Sequence, residues 1–498
     1  MKALAQIKDD KVVIALFDAL REVGITGYLV GGMVRNLLLH QPWGIDYDVA
    51  IGGDAALVSN ALSKRLGGSV FLLDRASTLY RVVKKTDGTP VTVDIAPFRG
   101  GSIDTDLNAR DFTVNAMALS LSTLFDDEQP TLYDPLDGER DCRMRILRPV
   151  SGEICDDDPL RALRAVRLSA QYGLSIDDDL KMLIREKVPL LKRIAMERVR
   201  DELFTILLCR ESYRFIHLLH EMRILPHILP EMRRWNTLVI REDFPHSEYA
   251  VKVKVDDGER GYTLFNHALD TVREAELFLG SVDATLSGYG AQIKEHFDDQ
   301  IGGITRRGLF LFAALLHDMG KPSSMKVDEK RVRFFGHDSL GGKMVHMVGR
   351  RLRLSRRATT IISRNVANHH RVFNLASLER RTFRSKLRFF SAIGGEGGID
   401  LLLLALADAK ATRGGDDPTL LAVVREMVAF YYDTYAVEDS KPLLTGADVM
   451  TLFGMPQGAL IGRVLDEVVR AEEEGAVGNK EEAVRHIREW LSSAGVER

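Results

Sequence analysis

Disulfide chemistry has little to work with here: 498 residues carry three cysteines, Cys142, Cys155 and Cys209. Their spacing fits neither a zinc site nor a disulfide framework, and such usage suits a reducing compartment. Long apolar runs are missing as well. The longest, such as Leu309 to Leu316, are too short to span a bilayer. Met1 to Asp10 is polar and charged, without the apolar core of a signal peptide. These absences predict a cytoplasmic protein with no membrane partner. No charge of one sign dominates, since the formal net charge is −3. Any nucleic-acid binding must therefore come from local basic patches. Repeats and low-complexity tracts are absent too. What remains is an ordinary globular composition, 45% hydrophobic and 28% charged, in a chain long enough for several domains.

Chemistry concentrates first in Tyr28 to Leu39, then in Asp46-Tyr47-Asp48-Val49-Ala50-Ile51. A short apolar strand runs into Gly31-Gly32 and then an amphipathic helix. Glycines admit a phosphate close to the backbone, and a helix N-terminus offers it free N–H groups. Asp46 and Asp48 lie two apart on a strand, so they share one side. Together they can hold a divalent metal beside a phosphate-binding turn, as phosphoryl or nucleotidyl transfer requires. Either feature alone is common punctuation; their order and spacing make the signal.

Around this stretch the pattern predicts helices over 11–22 and 55–66, each stopped by glycine. It predicts strands over 70–73, 79–83 and 91–96. Strands with few helices between them imply a mixed α+β sheet rather than a dinucleotide-binding fold. Asp94 sits within the last strand, where a carboxylate is costly unless paired or metal-bound. It reads either as a third metal-linked carboxylate or as a capped strand end. Arg110-Asp111-Phe112-Thr113-Val114-Asn115, taken alone, reads as a helix start capped by Asp111. Asp134 to Gly138 is turn chemistry suited to a hinge.

From about residue 156 the texture turns helical. Arg161, Arg164 and Arg167 recur every third residue after Asp157-Asp158-Pro159. Such a stripe is commonly a solvated face. The sharper reading is a wall of guanidiniums along a nucleotide, with Asp158 beside them to match a base edge. Residues 197–235 continue as amphipathic helices, and 236–262 read as an irregular connection. A second constellation follows: His267, His317-Asp318 closing an apolar helix, His337, His369-His370, and Asp408 on a later apolar helix. A lone histidine is usually a satisfied core residue, but this grouping predicts a metal site. Residues 348–388 hold a dense arginine run interleaved with Phe373, Phe383, Phe389 and Phe390. It reads as a solvated charged face or as a contact for a nucleic-acid backbone.

In order and content, these blocks resemble the class II tRNA nucleotidyltransferase and bacterial poly(A) polymerase family, joined to an HD-type phosphohydrolase domain. The likeness covers about 26–235 and 262–415. It is carried by Gly31 to Arg35 with Asp46 and Asp48, Arg110 to Ala116, Asp134 to Gly138 with Asp141, Asp157 to Arg161, and Glu197-Arg198 with Glu202-Leu203. Departures are Asn36 for a usual Asp, His40 for a common glycine, Ala109 for an Arg and Asp157 for a Glu. Leu72 to Ala76 stands where poly(A) polymerases carry a basic signature, which lowers that reading.

The resemblance implies a DNA polymerase beta-like mixed-sheet head (1–150), an all-α neck (151–245), an HD domain (246–415) and a helical C-terminal region (416–498). It implies catalytic Asp46, Asp48 and Asp94, with the first two holding Mg2+. It implies nucleotide contacts from Gly31, Gly32, Arg35, Arg110, Asp111, Asn115, Asp158, Arg161, Arg164 and Arg167. In the HD part, His267, His317, Asp318 and Asp408 would hold a divalent transition metal. The implied reaction is template-independent addition of CMP and AMP to the tRNA 3′ end from CTP and ATP. Rival readings are A-only, CC-only or poly(A) addition, or hydrolysis of RNA-end phosphates by the HD part.

Overall fold

The computed structural model describes residues 7–43, 45–86, 88–126, 132–235, 238, 263–328, 331–436, 443–473, 476–477 and 479–493. The chain forms two compact units, Met1–Pro230 and Glu231–Arg498. Most of the stretch read as a connection, and the expected 245/246 boundary within it, lies outside the described residues.

In the first unit, helix α1 (Lys11–Val23) starts on the Asp10 side chain and stops at Gly24, whose φ is 75°. Then come β1 (Gly27–Val30), α2 (Gly32–Leu38), β2 (Asp46–Ile51) and α3 (Ala55–Leu66). They are followed by β3 (Ser69–Asp74), β4 (Leu79–Lys84), β5 (Val91–Pro97), β6 (Ala118–Ser120) and β7 (Leu132–Tyr133). One seven-stranded sheet results, in the order β3-β4-β5-β2-β1-β6-β7. Only β2 and β5 run parallel; every other neighbour is antiparallel. This is the mixed sheet expected, and alternation explains its sides. Tyr47 and Val49 of β2, and Val93 and Ile95 of β5, enter the core with Val58 and Leu62 of α3. Asp46, Asp48 and Asp94 face the other way. At the turn expected to hinge, the Asp134 carboxylate accepts the Gly138 and Glu139 N–H groups, each at 2.8 Å.

After the sheet the unit is helical: α4 (Arg161–Tyr172), α5 (Met196–Leu207) and α6 (Ser212–Glu221). The second unit is also built of helices. They include α7 (Leu264–Gly280), α8 (Arg306–Leu316), α9 (His337–Arg351), α10 (Arg356–Asn368) and α11 (Gly397–Arg413). Every residue of α8 from Gly308 to Leu316 is buried, as an all-round apolar helix must be. Two short hairpins interrupt the helices, one turning at Gly302-Gly303, where φ is 62° and 83°. Near the end, α12 (Gly446–Phe453), α13 (Ala459–Glu473) and α14 (Lys480–Ser493) share a core of Val449, Val464, Val468 and Ile487. Among the described residues no single helix is long and apolar enough to cross a membrane.

Within the arginine-aromatic run, Phe389 and Phe390 are core residues. Arg351 pairs with Glu231, Arg381 and Lys386 with Glu426, and Arg384 with Asp466. Arg350, Arg356, Arg371, Arg380 and Arg388 remain exposed. A dense run in sequence therefore divides in the fold into ion pairs with acidic residues distant in the chain and arginines left exposed.

Candidate functional site

Gly31 joins β1 to α2 with φ 70° and ψ −133°, a region open to glycine. Space matters there as much as angle. A Cβ at Gly31 would meet Asp48 Oδ2 at 2.9 Å and an Arg110 guanidinium nitrogen at 3.1 Å. The turn thus brings backbone, carboxylate and guanidinium to one point. The Gly32 N–H donates to Asp48. Gly31→Ala should strain the turn by about 1–3 kcal/mol and displace Asp48. A fall of roughly tenfold or more in the nucleotide-addition rate is expected; wild-type turnover would show that the close approach is dispensable.

Asp46 and Asp48 share the open side of β2, and the Thr92 hydroxyl donates to Asp46. The parallel register sets Asp48 opposite Asp94, so all three carboxylates lie on one face. Asp94 is already gripped. Arg81, its partner across the antiparallel ladder, donates two guanidinium nitrogens to its oxygens at 2.6 and 2.7 Å. Arg81 is a site residue that sequence reasoning missed, because only strand register reveals it. Solvent reaches the flank of Asp48, yet burial of its carboxylate raises its pKa. Arg110 opposes that rise, while Asp94 and Asp46 add to it.

Behind this face runs a buried polar chain. Arg164 meets Asp111 at 3.2 Å, and Asn115 donates to Asp111 at 2.9 Å. Arg35 donates to Asn115 at 2.6 Å and to the Tyr172 hydroxyl at 2.7 Å, with its guanidinium 4.1 Å over the Tyr172 ring. Arg35 is 6% exposed and braces the signature helix against α4 through Asn115 and Tyr172. One expectation changes. Asp111 caps no helix: the 3₁₀ turn Thr113–Asn115 starts at Phe112, and the carboxylate is taken by Asn115 and Arg164. Asn36 keeps the acceptor that an Asp would supply, accepting from Arg35 at 3.0 and 3.2 Å. His40 holds φ 54°, which accounts for the suitability of glycine there.

The arginine stripe of α4 is not a solvated face. Arg161 donates to the carbonyls of Ala109 and Ile154 at 3.1 and 3.3 Å. Arg167 pairs with Glu202 at 2.6 Å. Asp158 accepts from Arg198 at 2.8 Å, so Asp158 and Arg161 are near in the chain but hold different partners. Arg110 leans on buried Asp106 at 2.9 Å. Arg198 and Asp106 also escaped the sequence-read site set.

In the second unit the four expected ligands converge. His267 Nε2 lies 3.1 Å from His317 Nε2 and 3.3 Å from Asp408 Oδ1, and His317 Nε2 lies 3.2 Å from Asp318 Oδ2. All four are at most 1% exposed. Burying two carboxylates and two imidazoles together is costly unless a cation joins them. Burial lowers the pKa of His317, but Asp318 outweighs it and pushes the ring up to about 9. For His267 burial wins over Asp408, and the pKa falls. Mixed nitrogen and oxygen donors suit a divalent transition metal. Lys321 reaches Asp318 Oδ2 at 2.8 Å.

Comparison with known proteins agrees with this division. The poly(A) polymerase head domain matches 27–148, the probable RNA- and SrmB-binding site of polymerase A matches 173–236, and the HD domain matches 286–412. His267 precedes the matched HD stretch, yet the fold draws it in. Both domain types imply divalent metal use. An A-adding tRNA nucleotidyltransferase of Deinococcus radiodurans is 31% identical over 93% of this chain and 95% of that protein. A CC-adding tRNA nucleotidyltransferase of Geobacter sulfurreducens is 28% identical over 94% and 92%. A CCA-adding enzyme in an apo form shares the fold with a TM-score of 0.65, at 19% identity over 99% of this chain and 97% of that one. The chain belongs to the tRNA nucleotidyltransferase family, with a poly(A) polymerase-type head and an HD domain.

Proposed function

We propose that the chain extends the 3′ end of tRNA with CMP and AMP taken from CTP and ATP, completing CCA and releasing pyrophosphate. The observation that carries this reading is the Asp46–Asp48 pair set against the Gly31–Gly32 turn, with Arg110 on the same point. The RNA 3′-hydroxyl attacks the α-phosphorus, and the bond to pyrophosphate breaks. Asp46 and Asp48 hold magnesium, which suits an all-oxygen donor set. When bound, it lowers the hydroxyl's pKa and neutralises charge on the leaving group. Asp94, already paired with Arg81, serves as the third carboxylate of that face.

Gly31 and Gly32 admit the triphosphate, Arg110 takes phosphate charge, and Asp111 with Asn115 meets the sugar. Asp158 and Arg161 read the base edge by exchanging Arg198 and two backbone carbonyls for the nucleotide. Arg164 and Arg167 support them by fixing Asp111 and Glu202. Head (1–150), neck (151–245), HD (246–415) and C-terminal (416–498) parts divide the work, with RNA held by the neck. A tRNA substrate supports a cytoplasmic location.

A second reading, addition of only A or only CC, is favoured by one fact. The Deinococcus and Geobacter relatives, each matched over more than nine-tenths of this chain, carry those names. Pure protein incubated with tRNA lacking one, two or three 3′ nucleotides, plus CTP or ATP, decides. CCA addition extends all three; an A-adding enzyme extends only tRNA ending in CC, and a CC-adding enzyme stops before A. No extension of any substrate would overturn both.

The HD cluster, His267, His317, Asp318 and Asp408, holds a divalent transition metal and removes phosphates from RNA ends in this account. His317→Ala should abolish phosphatase activity and spare nucleotide addition, while Asp48→Ala should do the reverse. Phosphate release unaffected by His317→Ala would remove the HD cluster from that role.

A further inference from the structure

The second unit contains a cavity that none of the chemistry above uses. It has a volume of about 250 Å³ and opens where α10 packs beside the starts of α8 and α11. Arg357, Thr360, Ile361, Arg364 and Asn365 form its α10 wall, a spacing that keeps them on one helical face. Arg306, Glu396 and Asp400 line it from the other two helices. The histidine cluster is remote. His317 follows Arg306 by eleven residues along α8, a rise of roughly 16 Å.

The buried polar groups of this cavity satisfy one another, with one exception. Asp400 accepts from Arg306 at 3.1 Å, meets His296 at 2.7 Å and takes the Asn365 amide N–H at 3.4 Å. The last bond sets the Asn365 side chain one way round, since the flipped amide would turn its oxygen on a carboxylate. Asn365 Oδ1 is left over. The residue is 1% exposed, and that oxygen has no hydrogen-bond partner. Native interiors rarely leave such an acceptor unmet. A donor on a molecule inside the cavity would meet it.

Positive charge gathers at the opening. Arg364 is exposed and donates to the Ile393 carbonyl at 3.3 Å; among the described residues no carboxylate pairs with it. Arg357, two turns earlier on the same face, touches Asp299 at 3.5 Å. Gly394 keeps the space beside Arg364 clear. It adopts φ 84°, and a Cβ there would stand 2.6 Å from Arg364 Nη1. Guanidinium forks match phosphate oxygens in charge and geometry. Glu396 uses one oxygen on Arg306, at 2.7 Å, and keeps a second for a hydroxyl or amino group.

We propose that this cavity binds a small phosphate monoester bearing hydroxyl or amino donors, with its phosphate on Arg357 and Arg364 and its donors on Asn365 Oδ1 and Glu396. The volume lies just under the roughly 300–1,000 Å³ of drug-sized sites, which suits a sugar phosphate. The site is separate from nucleotide addition in the head. It ties the start of α11 to α10, the helices that lead to Asp408 and His369. Its ligand therefore stabilises the unit that carries the histidine cluster.

The test keeps the full chain in chelator and dialyses it against radiolabelled ribose 5-phosphate. One saturable equivalent is expected. Arg357→Gln with Arg364→Gln should weaken binding about tenfold or more. Inorganic phosphate, which lacks the sugar hydroxyls, should bind about tenfold more weakly, and ribose should not bind. In the unaltered protein, saturating ester should slow hydrogen exchange of the amides from Ile393 to Asp400. Absence of saturable binding overturns the site. So does inorganic phosphate binding as tightly as the ester, or affinity untouched by the arginine changes. Protection confined to the head also overturns it. Dialysis and exchange on the unaltered protein decide without a variant, so misfolding of a variant cannot mask the answer.

Discussion

Asp48→Ala is expected to remove nucleotide incorporation while tRNA binding survives. Preorganised electrostatic elements of this kind are worth roughly 3–4 kcal/mol of barrier, a few hundred-fold or more in rate. The fold should not suffer, because solvent reaches the flank of Asp48 even though its carboxylate is set in against the Gly31-Gly32 turn. Stability should move the other way. Its pKa is raised, chiefly by burial, with Asp94 and Asp46 adding repulsion against the relief from Arg110. A carboxyl with a raised folded pKa is neutral in both states below its unfolded value, and there it costs nothing. As pH rises through the folded value, its ionised form destabilises the protein. Asp48→Asn should therefore raise the melting temperature at neutral pH and leave it unchanged at pH about 3, below the ordinary carboxyl value. Equal incorporation by wild type and Asp48→Ala would remove the carboxylate from the chemistry.

The second large effect concerns folding of the HD-bearing unit. Arg306 and Asp400 have side chains only 3% and 0% exposed. Arg306 donates to Asp400 at 3.1 and 3.2 Å and to Glu396 at 2.7 Å. His296 meets the same aspartate at 2.7 Å. Although burial raises the Asp400 pKa, His296 and Arg306 outweigh it and hold it below the usual range. Arg306→Ala leaves that carboxylate charged, buried and under-compensated, a change worth about 3–5 kcal/mol. Since the chain has two compact units, a single melting point is a poor readout. Hydrogen exchange of α8 and α11 amides is the better one, and their protection should collapse with the head's left intact. A loss under about 1 kcal/mol would mean that water replaces the guanidinium.

The head was legible in the sequence because its signals are local. Glycines mark where α1 and α3 stop, alternation marks β2 and β5, and the Gly31-Gly32 turn with Asp46 and Asp48 declares itself by spacing. What was not legible depends on partners distant in the chain. Arg81 is visible as the clamp on Asp94 only through the register of β4 on β5. The α4 arginines look like a free stripe until Ala109, Asp111 and Glu202 are folded against them. The bond from Arg35 to Tyr172, far along the chain, is likewise invisible until the helices pack. Phe389 and Phe390 lie among basic neighbours in sequence, and only the fold shows that they belong to the core. The HD ligands were found through an unusual residue pair at the end of an apolar helix. His337 and His369-His370 stood in the same predicted grouping, but their separation from His267 and His317 depends on helix packing that no spacing rule encodes.

Single-turnover extension of tRNA lacking its 3′ CCA, with pyrophosphate counted against nucleotide incorporated, tests the central claim most directly. Wild-type protein should release one pyrophosphate for each nucleotide added, and Asp46→Ala and Asp48→Ala protein should release none while still binding the tRNA. Pyrophosphate release without extension, or extension that persists in both variants, would contradict the assignment of this head as the transferase site.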